Sequence, residues 1–280
     1  MGAGRVVVVT GGTSGIGLGI AERHLAAGDR VVIGSIDVEA DTPARLRLDQ
    51  ERVRFMRVDV SVEADVAALV SLALSEFGQL DVMVNNAGIG DGGLKVPDWD
   101  ADRIRRTTSV LFEGVALGMK HAARAMIPRK SGSIINIASI AGISTHINSG
   151  HIYSAAKAAV VHLTKTTSLE LAADGVRVNC ICPGYIATPL FGRGFGLSGD
   201  KLRASVEVAG ETFADLQPIH RTGRPTDIAA AAFWLSSDEA SFVTGLAFVV
   251  DGGASVGNPY APEKGRGRLV KKALEDRGII

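Results

Sequence analysis

The sequence predicts an α/β fold, a single domain built on a doubly wound parallel sheet of about seven strands with helices on both faces. Three observations carry this. Short β-branched runs alternate with longer stretches of helical apolar spacing. The runs are apolar nearly throughout, as in strands covered on both sides, where half-exposed strands would alternate. Hydrophobic residues make up 46% of the 280 residues and charged ones 21%, which suits a sizeable core and excludes a disordered chain.

The elements follow in order. Val6–Thr10 reads as the first strand, followed by glycines and an amphipathic helix from Ile16 to Ala27 that Gly28 closes. Arg30–Ser35 is the second strand and Arg54–Val60 the third. Asp65–Phe77 has apolar residues three and four apart and reads as a helix. Leu80–Asn85, Ser133–Ser139, Gly175–Ile181 and Leu246–Val250 are strands four to seven. Strands separated by helices imply βαβ units with right-handed crossovers. No repeat or low-complexity linker interrupts the chain, so one domain over residues 1–255 is the simplest fit. Residues 256–280 form a basic extension, with Lys264, Arg266, Arg268, Lys271, Lys272 and Arg277 set against three acids. It reads as a solvated, partly helical tail or as an arm that docks on a neighbouring subunit.

Lys plus Arg and Asp plus Glu number 30 each, so nothing draws the chain to nucleic acid or an anionic membrane. No run approaches the roughly 18 apolar residues of a spanning helix. The apolar run Val6–Val9 is too short for a signal-peptide core, and Val6 stands where a myristoylation motif wants Ser or Thr. Cys180 and Cys182 share a strand face but lie too close in an extended chain to bridge; they read as core thiols of a reducing compartment. The expected location is the cytoplasm. His146 and His151 have no third ligand at a suitable spacing, so no metal site is expected.

After the first strand comes Thr10-Gly11-Gly12-Thr13-Ser14-Gly15-Ile16-Gly17. Glycine at the strand exit permits a tight turn, Gly15 lets the backbone approach a pyrophosphate, and Gly17 lets the helix pack close to the sheet. The amides and dipole of the new helix then favour the anion. This strand–turn–helix context is what makes a glycine cluster a dinucleotide site.

The Thr-Gly-x-x-x-Gly-x-Gly spacing resembles that of the short-chain dehydrogenase/reductase family. Asp59-Val60, Asn85-Asn86-Ala87-Gly88, Ser139, Tyr153-Ser154-Ala155-Ala156-Lys157 and Pro183-Gly184 match further motifs of that family in its order, over about residues 5–253. The resemblance implies a Rossmann-type NAD(P)-binding domain and an oxidoreductase acting on CH–OH groups. It implies cofactor contacts at Gly11, Thr13, Ser14, Gly15, Ile16, Gly17, Ser35, Asp37, Asp59, Val60, Asn86, Ala87, Gly88, Tyr153, Lys157, Pro183, Gly184, Ile186 and Thr188. Asp59-Val60 would meet the adenine ring and Thr188 the nicotinamide carboxamide.

The catalytic residues implied are Ser139, Tyr153 and Lys157. A phenol titrates too high to be a base at neutral pH unaided. Lys157 lies one helical turn after Tyr153, where an ammonium would favour phenolate, and the resemblance places it on the nicotinamide ribose. Ser139 would orient the substrate oxygen. One position departs from the family pattern. Leu111, three residues before Gly114, stands where the family carries an Asn that holds a water of its proton relay. Ser109, Thr108 or direct exchange with solvent are the substitutes.

The cofactor is expected to be NAD. The family's acidic position at the end of the second strand is Ser35, but Asp37 lies two residues on and on the same side. No cation occupies the places where NADP-preferring relatives carry one, which are Ser14 and Ile36 here. Ser35 assisted by Arg47 is the alternative phosphate reader. Residues 190–221 match the family's mobile substrate loop, with Phe191, Phe195, Leu197 and Leu202 as apolar contacts and His146, Ile147, His151 and Ile152 at the pocket rim. The substrate expected is a moderately apolar secondary alcohol or ketone, cyclic or steroid-like. The alternatives are an NADPH-dependent ketone or 3-oxoacyl thioester reductase and a non-catalytic nucleotide-sensing module. By resemblance the chain is a homotetramer, with the alanine-rich stretch from Ile228 to Leu235 allowing close packing.

Overall fold

The computed structural model describes residues 4–37, 51–145, 147, 149–257, 266–277 and 279. Its sheet has seven parallel strands in the order β3-β2-β1-β4-β5-β6-β7. These are β1 (Val6–Thr10), β2 (Arg30–Ser35), β3 (Val53–Arg57), β4 (Val82–Asn85), β5 (Gly132–Ile137), β6 (Val176–Pro183) and β7 (Ala247–Val250).

The apolar strands have the cause the sequence suggested. In β1, Val6 and Val8 enter the core on one face while Val7 and Val9 enter a second core on the other, and all four are fully buried. Burying each such side chain contributes about 1.5–3 kcal/mol. The edge strand β3 alternates instead, with Phe55 and Arg57 exposed.

Helices α1 (Gly15–Ala26) and α8 (Pro225–Ser236) cover one face. Helices α2 (Glu63–Phe77), α4 (Gly114–Met126) and α5 (His151–Leu171) cover the other. Between α2 and α4 runs α3 (Ala101–Thr108), capped by Asp100, whose carboxylate accepts from the Arg103 amide at 2.8 Å. Beyond β6 lie α6 (Leu190–Gly194) and α7 (Gly199–Thr212), and near the C-terminus α9 (Arg266–Asp276).

The differences from expectation are local. The third strand leaves its ladder at Arg57, because the Asp59 amide turns to the Asp65 carboxylate at 2.9 Å. The fifth ends at Ile137, since Ser139 caps a 3-10 turn over Ile140–Gly142. The sixth runs on to Pro183. Gly28 does close α1, with φ +90°. The segment after Pro189, expected as a mobile loop, holds α6 and α7, pinned by Phe191 and Tyr185 against Phe213 at ring distances of 4.8 and 5.4 Å. Cys180 and Cys182 are buried and free.

The chain order of the sheet reverses between β1 and β4. In an open parallel sheet that reversal leaves a crevice beyond the carboxyl ends of the strands, between crossovers that run to opposite faces.

Candidate functional site

At this crevice the carboxyl ends of β1, β2, β4, β5 and β6 open into one cavity of about 790 Å³. At its floor Gly11 and Gly15 take φ of +63° and +52°, which β-carbon-bearing residues adopt at a cost. Thr10 ties this turn to the end of β4. Its hydroxyl accepts from the Asn86 amide at 2.9 Å and the Ala87 amide at 3.1 Å, while Asn86 Nδ2 donates to the Thr10 and Gly11 carbonyls. The Asn86 side chain therefore braces the turn. Thr13 is buried, its hydroxyl bonded to Ser35 Oγ and the Asp37 carbonyl at 2.9 and 2.8 Å, and it does not line the cavity. Gly17 does not line it either; a β-carbon there would strike Asn86 and the Gly11 carbonyl.

The other residues expected at a cofactor do line it: Gly11, Ser14, Gly15, Ile16, Ser35, Asp37, Asp59, Val60, Asn86, Ala87, Gly88, Pro183, Gly184, Ile186 and Thr188, together with Ser139, Tyr153 and Lys157. The α1 helix has no acid in its first turn, so its amide end is left to an anion. These features fit a dinucleotide: a glycine cradle for a diphosphate at one end, hydroxyls and an ammonium at the other. Asp59 accepts from the amide and hydroxyl of Ser61, and these bonds hold its carboxyl below the usual range.

Tyr153 and Lys157 lie in the first two turns of α5, with Nζ 5.7 Å from the centroid of the phenol ring. Lys157 is buried, and its Nζ donates to the Ile137 carbonyl at 2.7 Å. Burial lowers its pKa to about 8. The expected depression of the phenol by this ammonium is not what the geometry gives. Burial pushes Tyr153 up, a hydrogen bond to Ser139 pulls it down, and the Asp91 charge pushes it up again. The ammonium lies 5.7 Å from the ring centroid and donates to the Ile137 carbonyl.

Asp91 is the residue that sequence reasoning missed. Its carboxylate accepts from the Tyr153 amide at 2.9 Å and the Gly93 amide at 3.1 Å, at the amino end of α5. A β-carbon on Gly150 would collide with it. No spacing rule links residues 91 and 153; only the fold brings them together. Because the carboxylate favours the neutral phenol, Asp91→Asn is expected to lower the tyrosine pKa while keeping the hydrogen bond to the helix. The pH–rate profile for alcohol oxidation should then move to lower pH, and an unmoved profile would refute this role.

Leu111 is fully buried within a π-helical turn over Ser109–Glu113, against Gly88, and lines the cavity. The hydroxyls of Thr108 and Ser109 donate to the Ile104 and Arg105 carbonyls of their own helix. The wall beyond Tyr153 is largely apolar, built from Ile89, Val110, Leu111, Ile140, Ile147, Tyr185, Phe191 and Phe195. Leu197, Leu202, His151 and Ile152 do not line it; Leu202 lies beneath α6 and His151 meets Trp99 edge to face at 6.1 Å. Arg47 and His146 lie outside the described residues. Among the described residues no group of three metal-ligating side chains occurs, and no helix is long and apolar enough to cross a membrane.

Comparison with known proteins agrees with this geometry. A family model described as enoyl-(acyl carrier protein) reductase matches residues 11–255. The chain is 45% identical over 252 residues to cis-4-hydroxycyclohexanecarboxylate dehydrogenase of Sinomonas cyclohexanicum, covering 90% of this chain and 96% of that protein. It is 37% identical over 258 residues to 3beta-hydroxysteroid dehydrogenase 2 of Eggerthella lenta, covering 90% and 95%. The crystal structure of levodione reductase superposes with a TM-score of 0.81 at 33% identity, over 90% of this chain and 98% of that one. With the glycine turn, the serine, tyrosine and lysine on one cavity and relatives of this kind over nearly its whole length, the chain belongs to the short-chain dehydrogenase/reductase family, as an oxidoreductase of CH–OH groups that works with a nicotinamide cofactor.

Proposed function

We propose that this protein transfers hydride between NAD and a moderately apolar, cyclic secondary alcohol or its ketone, with Ser139, Tyr153 and Lys157 as the catalytic residues. One observation carries the reading: a single cavity runs from the glycine turn to the Ser139 and Tyr153 hydroxyls and ends in an apolar wall. The relatives named above act, by their names, on a hydroxycyclohexane acid and a hydroxysteroid, which supports a ring-shaped substrate.

The bound nicotinamide supplies hydride chemistry; the chain's side chains manage the proton and the geometry. Ser139 donates to the substrate oxygen and keeps it beside Tyr153, which takes the alcohol proton in oxidation and returns it in reduction. Lys157 anchors the ribose with the donors that Ile137 leaves over. Leu111 offers no hydrogen bond at the family's Asn position, so the proton leaves Tyr153 toward solvent at the open side of the cleft.

Asp37 is the group proposed to accept from the adenosine ribose 2′-hydroxyl and to repel a 2′-phosphate. Titration with NADH and NADPH separately tests this. NADH should bind tenfold or more tightly, about 1.4 kcal/mol. Tighter NADPH would favour a ketone reductase instead, and binding of neither would remove the dinucleotide reading. The proposed assembly is a homotetramer, and the proposed setting is the cytoplasm.

A further inference from the structure

We infer that Asp91 is a specificity-determining residue of this site, whose carboxylate turns anionic substrates away from the Tyr153 end of the cavity and favours an uncharged ring alcohol. The inference rests on the alcohol–ketone reading and adds to it the charge of the substrate. Asp91 lines the cavity together with Ile89, Ile147, Gly150 and Tyr153. Its two carboxylate oxygens are fixed separately: Oδ1 accepts from the Gly93 amide at 3.1 Å and Oδ2 from the Tyr153 amide at 2.9 Å. Each oxygen keeps a further lone-pair site.

The position is built around this group. Gly92 and Gly93 take φ of +75° and +61°, a turn that folds the Gly93 amide back onto the carboxylate. A β-carbon on Gly150 would strike both carboxylate oxygens, so the glycine just before α5 leaves the group its space. Holding the end of α5 does not require a charge, because an asparagine or serine oxygen caps a helix about as well. What the carboxylate adds over such a cap is a negative charge on the cavity wall.

The cations of the cavity stand elsewhere. Among the described residues that line it they are Lys157, Arg106 and Arg193. Lys157 Nζ donates to the Ile137 carbonyl, Arg106 acts on Asp59, and Arg193 donates to Ser14 beside the glycine turn. Arg103 comes close to the Asp91 segment, with Nη1 2.6 Å from where a Gly92 β-carbon would be, but it lines a separate recess with Trp99 and Ile152 and not the cavity. The wall facing Asp91 is largely apolar and screens charge poorly. The substrate oxygen belongs beside the Ser139 and Tyr153 hydroxyls, and the Asp91 charge reaches that phenol, pushing its pKa up. A substrate carboxylate there meets a like charge and loses its water without gaining a counter-ion. A neutral substituent with an O–H or N–H finds an acceptor instead.

The test is the ratio of kcat/KM for an isosteric pair, hydroxycyclohexanecarboxamide and hydroxycyclohexanecarboxylate, each as its 3- and 4-hydroxy isomer. They are oxidised at one pH and saturating cofactor, with cyclohexanol as the unsubstituted reference. Wild type is expected to prefer the carboxamide by about tenfold or more, and Asp91→Asn to reduce that preference by about tenfold. Asp91→Glu should keep it. A merely structural role does not move this ratio, because a loosened α5 or a shifted phenol pKa changes both rates alike. Wild type alone decides the matter if the variants fail to fold: equal constants for the pair, or a preference for the carboxylate, overturn the inference. A preference that survives unchanged in Asp91→Asn overturns it as well, even where both rates fall. In each of these cases the oxidation of cyclohexanol leaves the alcohol–ketone reading intact. A wild-type protein that oxidises none of the alcohols overturns that reading and this inference with it.

Discussion

Replacing Tyr153 by phenylalanine is expected to lower turnover by about 10²–10⁴-fold, the usual range for removing a positioned general acid–base. The ring stays. Its packing against Lys157, with Nζ 5.7 Å from the centroid, needs no hydroxyl, and the Tyr153 amide still donates to Asp91. The cofactor end of the cavity is built from other elements, so NADH should bind Tyr153→Phe nearly as well as wild type. The two measurements together separate an enzyme from a nucleotide-sensing module. Loss of turnover with retained binding is the enzyme result. Unchanged turnover would take the proton chemistry away from Tyr153, and loss of binding would make the residue structural.

Gly142→Ala is expected to damage the site by a different route. Gly142 closes the 3-10 turn that Ser139 caps, and it lies directly on the backbone of α5. An added β-carbon would stand 2.6 Å from the Lys157 carbonyl carbon, 2.7 Å from the Ala158 nitrogen and 2.8 Å from the Lys157 carbonyl oxygen. These are backbone atoms inside a 21-residue helix, and no side-chain rotation relieves the overlap. Either the turn or the helix must move. Overpacking of this kind costs about 1–3 kcal/mol. A shift of about 1 Å between Ser139 and the Tyr153–Lys157 pair costs about 10²-fold in rate. Thermal unfolding and kcat should therefore fall together. Gly90→Ala is the control for stability, because a β-carbon there meets no atom within 4 Å, and its effect should stay within about 0.5 kcal/mol. A Gly142→Ala protein with wild-type Tm and kcat would show that the two elements are not in the contact described.

The sheet was legible in the sequence because its burial is written in composition. Runs such as Val6–Val9 and Val31–Ile33 have no polar face to hide, and only a strand covered on both sides tolerates that. Strand ends were less legible. Asp59 and Ser139 look like strand continuations until their side-chain and amide partners at Asp65 and Ala141 are seen, and both partners are set by tertiary structure.

Within the site, local spacing revealed the glycine turn and the tyrosine–lysine pair, because each is a property of one turn or one helix. The environment of the phenol was not legible. Asp91 reaches Tyr153 over 62 residues, and whether Lys157 faces the hydroxyl or the ring depends on the Ile137 carbonyl. Asn86 shows the reverse case: a motif residue whose side chain is consumed by the scaffold.

The most direct test of the account is a single-turnover experiment. Wild type and Tyr153→Phe are mixed with NAD and a panel of cyclic secondary alcohols, and the near-ultraviolet absorbance of reduced nicotinamide is followed. The account predicts a burst of NADH with at least one alcohol in wild type and its near absence in Tyr153→Phe at equal NAD occupancy. Equal bursts in both proteins would contradict it, as would no burst from wild type across the panel with NAD fully bound.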